Sequence, residues 1–247
     1  MHQKPEYYIK IGKAIKKESG MHWLQESRLK KNKYIVMALV IAIIVSFYVL
    51  AKGETESIIW QRDEKKVAIT FDDGPDAKTT ALLLDGLKAR KVRATFFVIG
   101  EKAEQNPELI CRMSEEGHLI GNHTYSHVQL NMLSSSQACS QVKAANDIIK
   151  EITGQEVIYL RPPYGEWDHK KDCPQNMIAV YWDVDPLDWN RTDTKQIAAD
   201  ILRQVKPGDI ILLHDIYKTS VQAAFIVIDE LQRQGYEFVT VEELLFV

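Results

Sequence analysis

Asp72 and Asp73 stand side by side directly after the largely apolar run 66–71, and Gly74 and Pro75 follow them. Such a run is typical of a strand that is covered on both faces, and the Gly-Pro pair predicts a turn at its end. Neighbouring like charges repel unless a cation or a proton offsets them. These residues therefore indicate either a cation site or a turn that uses aspartate for its side-chain hydrogen bonds.

His123 and His127 are four residues apart, which places both imidazoles on one face of a helical turn. With one carboxylate they would form a site of two histidines and one acid, which leaves coordination positions for water and substrate, as catalytic zinc requires. Histidines at this spacing are more often ordinary surface residues, but the pair of aspartates favours a metal site. His118, in the same segment, is interpreted as structural.

Asp72 and Asp73 can have different roles, because successive side chains of an extended segment point in opposite directions. One can bind a metal while the other serves as a general base. Arg161 is a candidate for keeping that base ionised, and its alternative role is a salt bridge at a strand end. The stiff turn 162–165 would fix the direction of the Tyr164 backbone N–H, as an oxyanion donor requires, although a purely structural turn has the same sequence.

His214 follows four apolar residues, so its side chain would enter a site from an apolar wall that excludes water. Such a position suits proton transfer near neutral pH. A single histidine in that setting is more often a core residue, and the acidic surroundings favour the functional interpretation. Asp188 can orient His214 and raise its pKa. Tyr164, Trp167 and Trp189 are candidate stacking platforms for a sugar ring, with packing as the alternative for Trp167.

The elements that must position these residues alternate along the chain. Strands are predicted at 67–71, 94–99, 118–121, 157–160, 178–183, 210–213 and 237–240, and helices at 77–90, 101–116, 134–153, 193–205 and 220–234, two of them capped by Ser134 and Asp193. This alternation predicts a parallel sheet with helices outside, either closed as a barrel or open. Each polar cluster directly follows a predicted strand, and the carboxyl end of a β/α barrel is where active sites are assembled.

Five motifs, in this order, resemble those of the polysaccharide deacetylase family (NodB homology domain, carbohydrate esterase family 4). They are Thr70-Phe71-Asp72-Asp73-Gly74, His123-x-x-x-His127, Arg161-Pro162-Pro163-Tyr164-Gly165, Asp185-x-x-Asp188-Trp189 and Leu212-Leu213-His214. The resemblance covers roughly residues 65–245, and no motif residue departs from the pattern. Five motifs in register are far more specific than any one of them.

The resemblance implies an α/β fold, a distorted (β/α) barrel of about seven parallel strands with outer helices. It implies a divalent metal, usually zinc, with Co²⁺, Ni²⁺ or Mn²⁺ as alternatives, held by Asp73, His123 and His127. It also implies that Asp72 is the base that activates water and that His214 is the acid that protonates the leaving amine. Arg161 and Asp188 resemble the residues that tune these two groups, and Asp188 is favoured over Asp185 as the partner of His214.

The implied activity is removal of N-acetyl groups from a β-1,4-linked amino-sugar polysaccharide, with peptidoglycan N-acetylglucosamine as the first choice. N-acetylmuramic acid, chitin oligomers and acetylxylan are substrates of relatives, and the motifs do not separate them. The intact pair of His214 and Asp188 favours an amide, because an amide leaving group needs protonation more than an alkoxide does. The alternative of another class is a catalytically silent, glycan-binding member, which the loss of a motif residue would have indicated.

The charge distribution separates the chain into parts. Residues 1–33 carry nine Lys/Arg and three Asp/Glu, and the remainder carries 22 basic and 31 acidic residues, so the net charge of −3 is uneven. An acidic main body argues against nucleic acid as a partner. The predicted organisation is a basic cytoplasmic tail at 1–33, an anchor helix at 34–51, a stalk at 52–65 and a deacetylase domain at 66–247, expected to be monomeric.

Residues 34–51 contain no charged side chain, and a helix of that length spans roughly 27 Å, close to the thickness of the hydrocarbon core. Basic residues precede it, which predicts a single-pass signal anchor with the catalytic domain outside the membrane. Cleavage after Ala51 and secretion is the alternative. Three cysteines, Cys111, Cys139 and Cys173, are too few for a disulfide framework; two of them can pair, but small buried residues are the more frequent outcome.

Overall fold

The computed structural model describes residues 37, 40–46, 65–167 and 177–246. The chain forms two compact units, residues 1–62 and 63–247. In the first unit, residues 37 and 40–46 are helical. Within the described part of the chain, no helix has the length and apolarity needed to cross a bilayer. The predicted tail, the stalk except for its last residue, and more than half of the predicted anchor lie outside the described residues.

The second unit alternates strands with helices. Its strands are β1 Lys66–Asp72, β2 Thr95–Val98, β3 Leu119–Asn122, β4 Tyr159–Leu160, β5 Ile178–Ala179, β6 Ile210–His214 and β7 Glu237–Phe238. Its helices are α1 Thr79–Arg90, α2 Gly100–Gln105, α3 Pro107–Glu115, α4 Ser135–Thr153, α5 Thr194–Gln204, α6 Lys218–Arg233 and α7 Val241–Leu245. Short 3₁₀ turns lie at Leu130–Met132, Pro163–Gly165 and Asp188–Asn190.

The described strands form one parallel sheet of seven strands in the order β5-β4-β3-β2-β1-β6, with β7 paired to β1. One edge of β1 pairs with β6 from Ala68 to Asp72, while the other edge pairs with β7 at its start and with β2 at its end. A bridge between Val184 and Ile211 connects the segment after β5 to β6, so the two ends of the sheet meet. The predicted parallel α/β architecture is confirmed.

Strand β1 shows how the sequence divides the core. Its alternating side chains Val67, Ile69 and Phe71 belong to the large apolar cluster that includes buried residues of the helices, whereas Ala68 belongs to a smaller cluster with Phe97. The even-numbered face, which also carries Thr70 and Asp72, therefore points away from the main helix-packed core. This alternation brings Asp72 into a buried polar site.

Several predicted boundaries differ from the structure, among them that of the strand predicted at 157–160, which is only Tyr159–Leu160, and two of the differences show their physical setting. The helix predicted at 101–116 is two helices, because Pro107 lacks the N–H that a continuous helix needs and instead begins α3. The strand predicted at 178–183 ends at Ala179, and the carbonyl oxygens of Val180 and Tyr181 accept hydrogen bonds from Arg161.

The three cysteines are not all the small buried residues that the sequence predicts. Cys139, on α4, is disulfide-bonded, whereas Cys111 is a free, half-buried thiol. Cys173 lies outside the described residues. The interpretation of all three as small buried residues is therefore wrong for Cys139.

Candidate active site

The predicted functional residues lie where strands end. Asp72 and His214 are the last residues of β1 and β6, and His123 and Arg161 directly follow β3 and β4. A cavity of about 410 Å³ opens at this edge of the sheet. Its lining includes the predicted residues Asp72, Asp73, His123, His127, Tyr164, Trp189 and His214.

Asp73, His123 and His127 converge on one point. Asp73 Oδ1 lies 3.4 Å from His123 Nε2 and 3.2 Å from His127 Nε2. One ligand atom from each residue lies within 4.8 Å of the other two. Asp73 and His127 both have positive φ angles, 72° and 54°, which non-glycine residues adopt rarely and which are enriched at functional sites.

The donor chemistry of this cluster fits a divalent cation. His123 Nδ1 lies 2.7 Å from the carbonyl oxygen of Arg161, which can only accept, so Nδ1 carries the proton and Nε2 presents a lone pair. Asp73 Oδ1 is buried and has no hydrogen-bond partner in the described part of the chain. Two imidazole nitrogens and a carboxylate oxygen that face one another are a zinc-type ligand set.

The ionisation of the cluster supports the same conclusion. Burial opposes ionisation of Asp73, but the neighbouring imidazoles outweigh it and hold the pKa of this carboxyl at about 2. Burial lowers the pKa of His127 below its usual value, against the attraction of Asp73. Asp73 is therefore a carboxylate and His127 a neutral imidazole near neutral pH, the forms that bind metal.

Asp72 is held by a buried arginine. Its Oδ1 accepts a hydrogen bond from Arg161 Nη1 at 2.8 Å, and its Oδ2 lies 3.9 Å from His123 Nε2. Both side chains are almost completely buried. The guanidinium compensates the carboxylate charge, which a dry site would otherwise penalise heavily.

Arg161 is itself fixed on every side. Its Nη1 also donates to Thr70 Oγ1 at 2.6 Å, and its Nε and Nη2 donate to the carbonyl oxygens of Val180 and Tyr181 at 3.3 and 3.1 Å. Its guanidinium carbon lies 4.2 Å from the centroid of the Phe97 ring. Because these contacts hold the Arg161 side chain in one conformation, Arg161 determines the position of the Asp72 carboxylate.

His214 is paired with Asp188 rather than with Asp185. His214 Nδ1 lies 2.8 Å from Asp188 Oδ1, and the His214 backbone N–H donates to Asp188 Oδ2 at 2.9 Å. Asp185 instead accepts a hydrogen bond from the Leu187 N–H. Burial alone lowers the pKa of His214, but the hydrogen bond and charge of Asp188, with Asp72 and Asp73, raise it to about 9. His214 therefore carries a proton at neutral pH.

The aromatic candidates have different positions. Tyr164 is 65% exposed and contacts the edge of His127, with the ring centroids 5.1 Å apart, and Trp189 is 54% exposed. Both line the cavity. Trp167 does not line it, and packs against a buried apolar cluster formed by Leu130, Ala138, Val142 and Leu160. The packing alternative therefore describes Trp167.

The lining also includes residues that were not predicted as site residues, among them Trp182, Leu187, Leu212 and Tyr217. Leu187 lies inside the fourth motif and Leu212 inside the fifth, so their proximity to charged motif residues was the available signal. Trp182 and Tyr217 have no such signal, because an aromatic residue outside a motif has the same appearance in a core and in a cavity wall. The Tyr217 ring lies 6.3 Å from that of His214, measured between centroids.

Comparison with known proteins places this site in context. The sequence profile of the family described as polysaccharide deacetylase matches residues 61–177. The peptidoglycan-N-acetylmuramic acid deacetylase PdaC of Bacillus subtilis is 43% identical over 182 residues, which are 74% of this chain and 39% of that protein. A peptidoglycan-N-acetylglucosamine deacetylase of Bacillus cereus is 37% identical over 206 residues, 77% of this chain and 94% of that protein. The match to PdaC thus spans about two fifths of its length.

Solved structures give the same result for the fold. The structure of PdaC from Bacillus subtilis superposes with a TM-score of 0.72 at 43% identity, covering 74% of this chain and 91% of that chain. BA3943 of Bacillus anthracis, described as a CE4 family pseudoenzyme, superposes with a TM-score of 0.69 at 28% identity, covering 74% of this chain and 66% of that chain. By the profile match, the identities and the shared fold, the chain belongs to the polysaccharide deacetylase family.

Proposed function

We propose that this protein is a metal-dependent hydrolase that removes N-acetyl groups from peptidoglycan, with N-acetylglucosamine as its target sugar. The observation that carries the proposal is the convergence of Asp73, His123 and His127 in a cavity that also holds Asp72 and His214. The two sequence relatives named above are described as peptidoglycan deacetylases, which supports the choice of polymer.

Asp73, His123 and His127 would hold the cation, zinc in the first place and Co²⁺, Ni²⁺ or Mn²⁺ as alternatives. When bound there, a divalent cation supplies Lewis-acid catalysis. Asp72 takes the proton of the attacking water, and the hydrogen bond from Arg161 holds its carboxyl group in place for this role.

His214 gives its proton to the nitrogen of the leaving amine, and Asp188 holds the ring through Nδ1 so that the other nitrogen is available for the transfer. The backbone N–H of Tyr164 is proposed to stabilise the negative charge that develops on the acetyl oxygen. Hydrolysis of an amide needs the proton from His214, because an amide anion is a far poorer leaving group than an alkoxide. Tyr164 and Trp189 provide aromatic surface for a sugar ring.

The charge of the cavity supports N-acetylglucosamine over N-acetylmuramic acid. Among the described lining residues there are three carboxylates, Asp72, Asp73 and Asp185, and neither lysine nor arginine. Muramic acid carries a lactyl carboxylate wherever its peptide has been removed, and no lysine or arginine among these lining residues is available to pair with it. The 43% identity to PdaC supports the muramic acid alternative, which therefore stays the second candidate.

For the location we propose a single-pass membrane anchor at residues 34–51, with the catalytic domain outside the membrane as a monomer. The uncharged stretch and the basic residues before it support this proposal. Secretion after cleavage at Ala51 is the alternative.

The test is a substrate screen with the zinc-loaded protein on peptidoglycan, acetylated chitooligomers and acetylxylan. We expect acetate from peptidoglycan, and muropeptide mass spectrometry should locate the loss of one acetyl group on glucosamine. Loss on muramic acid instead would overturn the sugar assignment. Zinc binding without acetate release from any polymer would favour a silent glycan-binding protein; one structural neighbour is described as a CE4 family pseudoenzyme. The matched control is Asp72→Asn, which retains an oxygen for Arg161 but cannot act as the base.

A further inference from the structure

Asp215 is a buried carboxyl that the proposed chemistry does not use. It directly follows His214 at the end of β6 and is fully buried. Thr80, in the first turn of α1, donates a hydrogen bond from Oγ1 to Asp215 Oδ2 at 2.5 Å. Burial of a carboxyl is unfavourable unless its contacts compensate. Those contacts therefore indicate what Asp215 does.

The same carboxyl packs directly against Gly74. A Cβ built at position 74 would lie 2.1 Å from Asp215 Oδ2 and 2.4 Å from Oδ1, so no side chain fits between the two residues. Gly74 directly follows Asp73, whose φ of 72° lies in the left-handed region. Neither Asp215 nor Gly74 lines the cavity. Asp215 thus supports the backbone next to a candidate metal ligand from outside the cavity.

Thr80 extends this support along the turn that follows β1. While it donates to Asp215, its Oγ1 accepts a hydrogen bond from the Asp76 N–H at 2.8 Å. One hydroxyl therefore links the carboxyl at the end of β6 to the backbone of the turn. Thr80 and Asp215 are 135 positions apart in the sequence. Their hydrogen bond joins the turn after β1, which carries Asp73, to the end of β6, which carries His214.

Two other hydrogen bonds hold the same turn from the side of β2 and α2. The Ile99 N–H donates to the Gly74 carbonyl at 3.0 Å, and Lys102 Nζ donates to the Asp73 carbonyl at 2.8 Å. Both of these hydrogen bonds are donated to backbone carbonyl oxygens, whereas the Asp215 carboxyl packs against the Cα of Gly74. The left-handed conformation of Asp73 is therefore fixed from two directions.

We propose that Asp215 is a positioning residue that, through Gly74 and Thr80, holds Asp73 in the conformation in which its carboxylate meets His123 and His127. The inference rests on the proposed metal site. It adds that the residue after the proposed acid His214 sets the position of a metal ligand, so that the acid and the metal site keep a fixed separation.

Asp215→Ala removes the support and should weaken zinc binding roughly 10- to 100-fold, as the loss of other outer-shell partners does. At saturating zinc, kcat should fall while KM changes little, because the residue does not line the cavity. The absorption spectrum of the cobalt-loaded variant should differ from that of the wild type, because the geometry around the ion changes. Zinc affinity is measured on the full-length protein by competition with a chromophoric chelator.

Matched variants separate positioning from a general loss of structure. Asp215→Asn keeps an acceptor for Thr80 and should bind zinc within about threefold of the wild type. Thr80→Val removes the hydroxyl and should weaken zinc binding in the same direction as Asp215→Ala, whereas Thr80→Ser should restore it. Ser220→Ala removes another buried polar side chain, on α6, and should leave zinc affinity unchanged.

Wild-type zinc affinity and an unchanged cobalt spectrum in both Asp215→Ala and Thr80→Val would overturn this inference alone. Absence of zinc binding in the wild type would overturn the proposed metal site and this inference with it. If Asp215→Ala does not fold, the comparison of Thr80→Val with Thr80→Ser decides between the two outcomes.

Discussion

Each of the two groups proposed to transfer protons is held by a buried partner of opposite charge. Asp72 is bound to Arg161 at 2.8 Å, and His214 is bound to Asp188 at 2.8 Å. Arg161 fixes the position of the Asp72 carboxylate, and Asp188 favours the protonated form of the His214 imidazole, so that His214 is ready to give a proton. A buried carboxylate that orients a histidine in this way is typical of general acid catalysis.

Asp188→Asn should therefore move the alkaline limit of activity. Burial alone lowers the pKa of His214, and Asp188 is the main reason that it is raised to about 9. A general acid must be protonated, so activity falls as the pH rises through its pKa. Without the Asp188 charge the pKa should fall towards or below the ordinary value of about 6.5, and the alkaline limb of the kcat profile should move to lower pH.

The control for this prediction is Asp185→Asn, because Asp185 lines the same cavity but bonds to the Leu187 N–H. A cation held by Asp73, His123 and His127 would lower the pKa of His214 in wild type and variant alike, so the difference in pKa between the proteins is the quantity to compare. An alkaline limb that stays in place in Asp188→Asn would exclude Asp188 as the group that controls His214.

The sequence predicted those site residues whose chemistry is distinctive. Carboxylates and histidines directly after apolar runs stand out, and the resemblance to the family favoured Asp188 over Asp185 as the partner of His214. Trp182, Tyr217 and the supporting role of Asp215 were not predicted. Their roles depend on contacts between distant segments, such as that of Asp215 with Gly74, and no local pattern encodes such contacts.

At the scale of elements, apolar runs located every described strand of the sheet, because a strand that is covered on both faces is largely apolar. The runs did not give the lengths of β4 and β5, each of which has two residues. Beyond β5, two carbonyl oxygens bond to the Arg161 side chain. The chemistry of the site therefore shortens the strand, which hydrophobicity alone cannot indicate.

The start of α4 was predicted from Ser134, and the structure shows a capping box there. The Ser134 hydroxyl accepts from the Gln137 N–H, and the Gln137 side chain accepts from the Ser134 N–H. Ser134→Ala should lower the free energy of unfolding by about 1 kcal/mol, the usual cost of losing such a cap. Urea denaturation measures the change.

Ser135→Ala is the matched control, because Ser135 lies in the same first turn but does not cap the helix. It should leave the free energy of unfolding almost unchanged. Equal stability of Ser134→Ala and Ser135→Ala would contradict the role of the capping box.

At the scale of the whole molecule, residues 63–247 form the compact unit that contains the site. The sequence after residue 33 has more acidic than basic residues, and three carboxylates line the cavity. The parallel fold was predicted because alternating strands and helices admit few other arrangements. The bridge between Val184 and Ile211 that joins the ends of the sheet was not, because isolated bridges leave no sequence pattern. The membrane anchor stays a prediction from the uncharged stretch 34–51.

The most direct test of the central claim is to measure zinc stoichiometry and acetate release together, in full-length wild type and His127→Ala. We expect chelator-stripped wild type to release no acetate from peptidoglycan and to regain activity in proportion to zinc, up to one ion per chain. His127→Ala lacks one of three protein ligands, so its zinc affinity should fall by more than the roughly 10- to 100-fold that an outer-shell partner costs. Full activity of metal-free protein, or unchanged zinc affinity in His127→Ala, would contradict the account.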